Sequence, residues 1–362
     1  MSPVSPRDSP GHRGVQQNPP NRFEALHLEP APEEGQDPAG PLRTRFYRDT
    51  TRNIIARNDS PDVGFDASLN VYRGCEHGCS YCYARPTHEY LGFSSGLDFE
   101  SKIMVKLDAA KLLRAELMSP RWKPQVLAMS GVTDPYQPVE RKLGLTRSCL
   151  EVLAEFKNPV GIVTKNQLVT RDLDLLAALA KVRAAVVFIS LTTLDTSLRA
   201  CLEPRTSPPG ARLDAMAQLA SQGIPVGVMT APVIPGINDH EIPQLLKAAS
   251  DAGARHAGYG LLRLPWSVAG LFEQWLETHK PDRKEKVLNQ LKAMRGGQLN
   301  VGTFGQRMSG TGVQADQIRQ LFDVSCRRYG LNQEPLKLNT AAFTRPGPQQ
   351  LDLLLERTVP GT

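Results

Sequence analysis

The sequence has no apolar run that approaches the ~20 residues needed to cross a bilayer; stretches such as AAVVFISL stop well short. Its first residues, MSPVSPRDSPGHRG, lack the apolar centre of a secretory signal. Both absences point to the cytoplasm and to no membrane partner. No long block of Lys or Arg occurs either, although 43 Lys and Arg against 37 Asp and Glu leave a net charge of +6. That balance permits an anionic partner, nucleic acid included, and is equally compatible with a basic surface that has none. Cysteine is scarce, six in 362 residues. In a reducing compartment so few argue against a disulfide framework.

What is present is organised in three parts. Residues 1–45 are rich in Pro, Gly, Gln, Asp and Glu and poor in apolar residues, so a disordered tail is expected. From 60 to 280 a unit repeats, a short β-rich run followed by an amphipathic stretch. The runs are SLNVYRG, QVLAMSG, VGIVTK, AVVFISLTT, PVGVMTAPV and HAGYGLLRL. Between them, Leu173, Leu175, Leu176 and Leu179 illustrate helical spacing. Six βα units in series predict an α/β fold, a parallel sheet with outer helices. In such folds the loops at the carboxyl ends of the strands carry the chemistry. Residues 281–362 form an extension with a basic helix, a Gly-rich span and a second helix, which either covers the open sheet edge or closes over the site.

The densest chemistry is GCEHGCSYCYARPTHEY, where Cys75, Cys79 and Cys82 follow the spacing C-x3-C-x2-C. Three thiolates are an incomplete set. His77 or His88 could complete a zinc site, but structural zinc sites usually pair two Cys-x2-Cys arms and no second arm exists. A ferredoxin-type cluster would need a fourth nearby cysteine. Cys149, Cys201 and Cys326 are remote and sit in helical patterns with apolar neighbours, which reads as core. The remaining arrangement is a cubane cluster with three cysteine-bound irons and one open iron, a position for a substrate or cofactor.

With its aromatic before the last cysteine, CEHGCSYC resembles the signature of radical S-adenosylmethionine (radical SAM) enzymes. The resemblance implies a partial (βα)6 TIM-type barrel. It also implies a 4Fe-4S cluster held by Cys75, Cys79 and Cys82, with S-adenosyl-L-methionine chelated on the fourth iron. Reductive cleavage then gives a 5′-deoxyadenosyl radical that abstracts hydrogen, and a flavodoxin- or ferredoxin-like protein supplies the electron. SGVTDPYQPVE, VTKNQLVTRDLDLL and LEPRTSPPGARLDAM resemble segments of the spore photoproduct lyase-like branch. By that likeness the backbone of Tyr81 meets the adenine and Thr133 lies near the methionine end. Lys165 and Arg205 suit the SAM carboxylate, and Ser190 and Thr192 the ribose hydroxyls. One departure matters: where the lyases carry a hydrogen-donor cysteine, this chain has Gly131. Tyr83 is then the candidate catalytic donor, with Cys149 a poorer substitute. The substrate is left open, nucleic acid included. The contrasting reading is a non-catalytic, zinc-containing nucleic-acid-binding protein.

Overall fold

The β-branched runs of the sequence become strands in a computed structural model that describes residues 13–24 and 42–347. The first five strands are β1 (Arg45–Arg48), β2 (Ile55–Arg57), β3 (Ala67–Leu69), β4 (Tyr72–Arg73) and β5 (Lys102–Val105). They are followed by β6 (Leu127–Met129), β7 (Val160–Thr164), β8 (Ala185–Ser190), β9 (Val226–Val233) and β10 (His256–Leu261). The main sheet runs β10-β9-β8-β7-β6-β3-β2. From β3 to β10 each neighbouring pair is parallel, and β2 joins the edge antiparallel to β3. Six parallel strands in chain order form the expected partial barrel, which is open between β10 and β2. A small sheet, β1-β5-β4, lies beside it.

The helices are α1 (Leu97–Ser101), α2 (Ala109–Met118), α3 (Glu140–Leu143), α4 (Leu145–Phe156), α5 (Leu173–Lys181) and α6 (Thr196–Leu202). Then come α7 (Pro209–Ser221), α8 (Ile242–Asp251), α9 (Ser267–His279), α10 (Lys284–Ala293) and α11 (Val313–Arg328). Their apolar faces cover the sheet. Val160, Ile162, Val187, Ile189 and Val228 are wholly buried against Leu150, Leu176, Met216 and Leu246. Strands covered on both faces need near-continuous β-branched runs, which is why these segments stood out in the sequence. Among the described residues no helix is long and apolar enough to cross a membrane.

The extension covers the β10 edge. Leu261 N–H donates to Met308 O at 2.8 Å, and Asn332 bonds both the N–H and the C=O of Ala257 at 2.8 and 2.9 Å. Phe322 of α11 packs on Tyr259 of β10 with ring centroids 4.7 Å apart. The same Gly-rich span also reaches the other edge. Asp62, between β2 and β3, accepts from Gly305 N–H at 2.6 Å and from the Arg307 guanidinium.

The tail expected to be disordered departs from that expectation over residues 13–24. Arg13 donates to Glu100 O at 2.7 Å, and Asn21 Nδ2 to Glu89 O and Phe93 O at 2.9 and 3.0 Å. Ser94 Oγ donates to Pro19 O at 2.6 Å. Polar bonds to residues 89–100, which follow the cysteine loop, fix this segment, and apolar composition does not register them. Residues 1–12 and 25–41 of that expectation lie outside the described residues.

Candidate functional site: a three-cysteine loop at the carboxyl ends of the strands

The cysteine loop begins directly after β4, and Cys75 N–H donates to Phe99 O at 2.9 Å. Its course is set by a buried arginine. Arg85 directs Nε and Nη2 onto Cys79 O at 3.0 and 2.8 Å, and Nη1 onto Gly96 O at 3.0 Å. The same guanidinium pairs with Glu100, and both side chains are fully buried. Glu100 Oε2 in turn accepts from Gly14 N–H at 2.9 Å. Gly78 turns the loop with φ +67°, and a Cβ there would meet Glu100 Oε2 at 2.6 Å, so both backbone and space require glycine.

All three loop cysteines are free thiols, Cys75 and Cys79 buried and Cys82 partly so. Burial pushes the Cys79 thiol well up, and that of Cys82 up. Binding of a cation there must therefore displace protons. Of the other cysteines, Cys149 and Cys326 are buried in α4 and α11, and Cys201 is partly buried in α6.

Three residues expected around the cofactor converge on one carboxylate that the sequence reading passed over. Glu203, fully buried after α6, accepts at Oε1 from the Tyr81 hydroxyl and from Thr192 Oγ1, the latter at 2.6 Å. Lys165 Nζ stands 3.9 Å from the same oxygen. Arg212 of α7 pairs with Oε2 and bonds Ser190 O at 2.9 Å. Desolvation raises the Glu203 carboxyl, but Arg212 and Lys165, with the bonds from Thr192 and Tyr81, outweigh it and hold it at about 2. Ser190 thus joins the group through its backbone.

The other expected residues bond elsewhere around the cysteine loop. Thr133 Oγ1 donates to Gly74 O at 2.7 Å and accepts from Gln137 Nε2 at 3.0 Å. Arg205 Nη2 pairs with Glu76 Oε1 at 3.1 Å. His77 Nδ1 is 3.3 Å from Asp134 Oδ2, and its Nε2 is 3.2 Å from Asn166 Nδ2. Desolvation lowers the His77 imidazole, yet Asp134 and Cys75 carry it up to about 10. Tyr83 is half exposed; its hydroxyl donates to Gly131 O at 2.8 Å, and its ring lies 5.6 Å from the Arg263 guanidinium carbon. His88 is buried on Lys102 O at 2.9 Å and against Phe99, a structural position. Glu76, Glu203 and Arg212 are charged residues in the interior, and the only sequence trace of the latter two is their short spacing within LEPRTSPPGAR.

Among the described residues no three His, Cys, Asp or Glu side chains gather as a site for a single metal ion. The donor set fits a cluster better. Three soft thiols suit iron–sulfur chemistry, and in a cubane each binds a different iron, so they need not meet at one point.

The sequence profile of the Radical SAM superfamily matches residues 69–249, from the last residue of β3 into α8. An uncharacterized protein of Mycobacterium tuberculosis is 39% identical over 220 residues, covering 60% of this chain and 65% of that protein. One of Methanocaldococcus jannaschii is 28% identical over 173 residues, covering 48% of this chain and 62% of that protein. This chain therefore spans less than two thirds of the length of these relatives. Among solved structures, spore photoproduct lyase complexed with dinucleoside spore photoproduct superposes with a TM-score of 0.57 at 16% identity, over 79% of this chain and 80% of that one. A doubly substituted form of the lyase, with bound AdoMet and dinucleoside spore photoproduct, gives 0.56 at 17% identity with the same coverage. At such identity the likeness is one of fold. With the six parallel strands and the three-cysteine loop in place, the matched span makes the chain a member of the radical SAM superfamily.

Proposed function

We propose that the protein is a radical SAM enzyme in which Cys75, Cys79 and Cys82 hold a 4Fe-4S cluster and S-adenosyl-L-methionine binds beside it. The observation that carries this reading is the Arg85-clamped loop of three free thiols at the carboxyl ends of the parallel strands. When bound, such a cluster supplies the electron that cleaves SAM to a 5′-deoxyadenosyl radical, which takes hydrogen from the substrate. A cytoplasmic flavodoxin- or ferredoxin-like protein is the reductant in this reading.

The residues of the chain have separable tasks. Glu203 fixes Tyr81, Thr192 and Lys165 as one polar wall, so the Tyr81 backbone is held where it can meet the adenine. Lys165 and Arg205 are the cations for the SAM carboxylate, and Ser190 and Thr192 belong to the ribose side. Thr133, bonded to Gly74 O, keeps the turn after β6 against the cysteine loop, on the methionine side. Tyr83, half exposed beside Gly131, is the side chain placed to face a substrate. Nucleic acid is the substrate class that the net charge and the lyase-like fold favour. The test is anaerobic reconstitution, in which the brown protein should bind about four irons per chain and, once reduced, release 5′-deoxyadenosine from SAM. One zinc per chain without iron would sink the reading.

A further inference from the structure

Two arginines of the β10 end and the extension, Arg295 buried and Arg263 half-buried, lack a counter-charge among the described residues. Arg295, only 3% exposed, donates Nη2 to Leu262 O at 2.7 Å and Nη1 to Arg307 O at 3.1 Å. Arg263 has Met308 Sδ at 3.7 Å. The Nε of each is buried and unbonded. Among the described residues neither arginine has an ion-pair partner, and the nearby carboxylate, Asp62, is already taken by Arg307 and Gly305. Burial lowers both guanidinium groups; Arg307 adds to this for Arg263, and Arg263 for Arg295, which falls to about 10. A buried charge is costly unless something compensates it, so this pair is a site in want of an anion.

A cavity of about 260 Å³ adjoins Arg295, lined by it with Gly296, Gln298, Gln306 and Thr311 among others. That volume lies below the ~300–1,000 Å³ of pockets that enclose drug-sized ligands, and suits one group of a ligand. Its polar lining offers the side-chain amides of Gln298 and Gln306 and the Thr311 hydroxyl beside the uncompensated charge of Arg295, which suits an oxyanion. A chain of contacts links Arg295 to the candidate active site. Arg295 holds Leu262 O, the next residue is Arg263, and Arg263 lies over the ring of Tyr83, which follows Cys82.

We propose that this cavity, with Arg295 in its wall, is an oxyanion subsite that takes a phosphate group of the substrate. The subsite serves the radical reaction only if that reading holds, but phosphate binding itself does not depend on turnover, so the two can fail separately. The test is calorimetric titration of the full chain with inorganic phosphate, against chloride at matched ionic strength. Saturable binding is expected, weakened about tenfold or more in Arg295→Gln. Gln306→Glu, an exposed rim position whose side chain makes no bond among the described residues, should weaken it too and keeps the test open if the arginine variant does not fold. A nucleoside monophosphate and a short single-stranded oligonucleotide are then tried as competitors; displacement by either supports the subsite and identifies the source of the phosphate. Absence of saturable binding, or equal binding in both variants, would overturn the proposal.

Discussion

Tyr81 and Glu203 stand 122 residues apart in the chain and share a buried hydrogen bond, the phenol donating to Oε1. Through it the cysteine loop is fastened to the end of α6, and through Arg212 to α7. Glu203→Ala leaves Arg212 buried and unpaired, and should cost roughly 3–5 kcal/mol in urea unfolding. The pH dependence follows from a carboxyl held at about 2 against an ordinary 4.5. Its contribution is complete above the unfolded value and is lost as pH falls from there through the folded value. The stability gap between wild type and Glu203→Gln should therefore be widest above about pH 5 and close in acid. A gap that is constant with pH would mean that the carboxylate is not charged in the folded protein.

Arg85 and Gly78 support the loop in different ways. Arg85→Ala leaves Glu100 buried without its partner, again a loss of roughly 3–5 kcal/mol. Gly78→Ala pushes a Cβ toward Glu100 Oε2 on a left-handed backbone, so the loop must shift. Both variants should lower iron content on reconstitution, measured per folded chain. Full iron in Gly78→Ala would show that the loop tolerates the displacement.

The cysteines divide into two groups. Cys75→Ala, Cys79→Ala and Cys82→Ala should each abolish cluster binding and SAM cleavage. Cys201→Ala and Cys326→Ala should retain both, since Cys201 Sγ sits on Leu198 O at 3.3 Å within its own helix and Cys326 is buried in α11. A folded Cys201 variant without iron would overturn that division.

The six strands were legible in the sequence as short β-rich runs, each followed by an amphipathic stretch, and the three-cysteine loop because ligand spacing is local. The buried charges were not. Glu203, Arg212, Glu76 and Glu100 carry residue types that hydropathy assigns to the surface, and they are interior only because each finds a partner far along the chain or across the loop. Residues 13–24 escaped for a related reason, being held by Arg13, Asn18 and Asn21 through polar bonds. α6 is short, and its N-cap Asp195, accepting from Ser197 and Leu198 N–H, is the local signal that could have revealed it.

Lys165 and Arg205 are each already engaged by a carboxylate, at 3.9 and 3.1 Å. If they also bind the SAM carboxylate, Lys165→Ala and Arg205→Ala should keep the cluster and bind SAM more weakly. Losing one charge-assisted bond costs about 1.5–3 kcal/mol, or roughly tenfold to a hundredfold in affinity. Equilibrium dialysis with SAM on reconstituted protein reads this directly. Unchanged affinity in both variants would leave them as partners of Glu203 and Glu76 alone.

On the lyase-like reading, Gly131 stands where a hydrogen-donor cysteine is expected. Its φ is +131°, and a Cβ built there would meet nothing nearer than Asn70 Oδ1 at 3.9 Å. The space for a thiol is thus present and the thiol is not. Cys149 is fully buried within α4 and is no substitute. The neighbouring group with a transferable hydrogen is the Tyr83 hydroxyl, which donates to Gly131 O at 2.8 Å. The reduced protein should therefore release 5′-deoxyadenosine slowly without substrate and leave irradiated thymine-containing DNA unrepaired. Gly131→Cys should fold, at a backbone cost of about 1–3 kcal/mol, and should raise any residual repair if DNA reaches the site. The readout is thymine regenerated per 5′-deoxyadenosine formed. Robust repair by the unaltered chain, abolished in Tyr83→Phe, would show that the phenol has replaced the missing thiol as hydrogen donor.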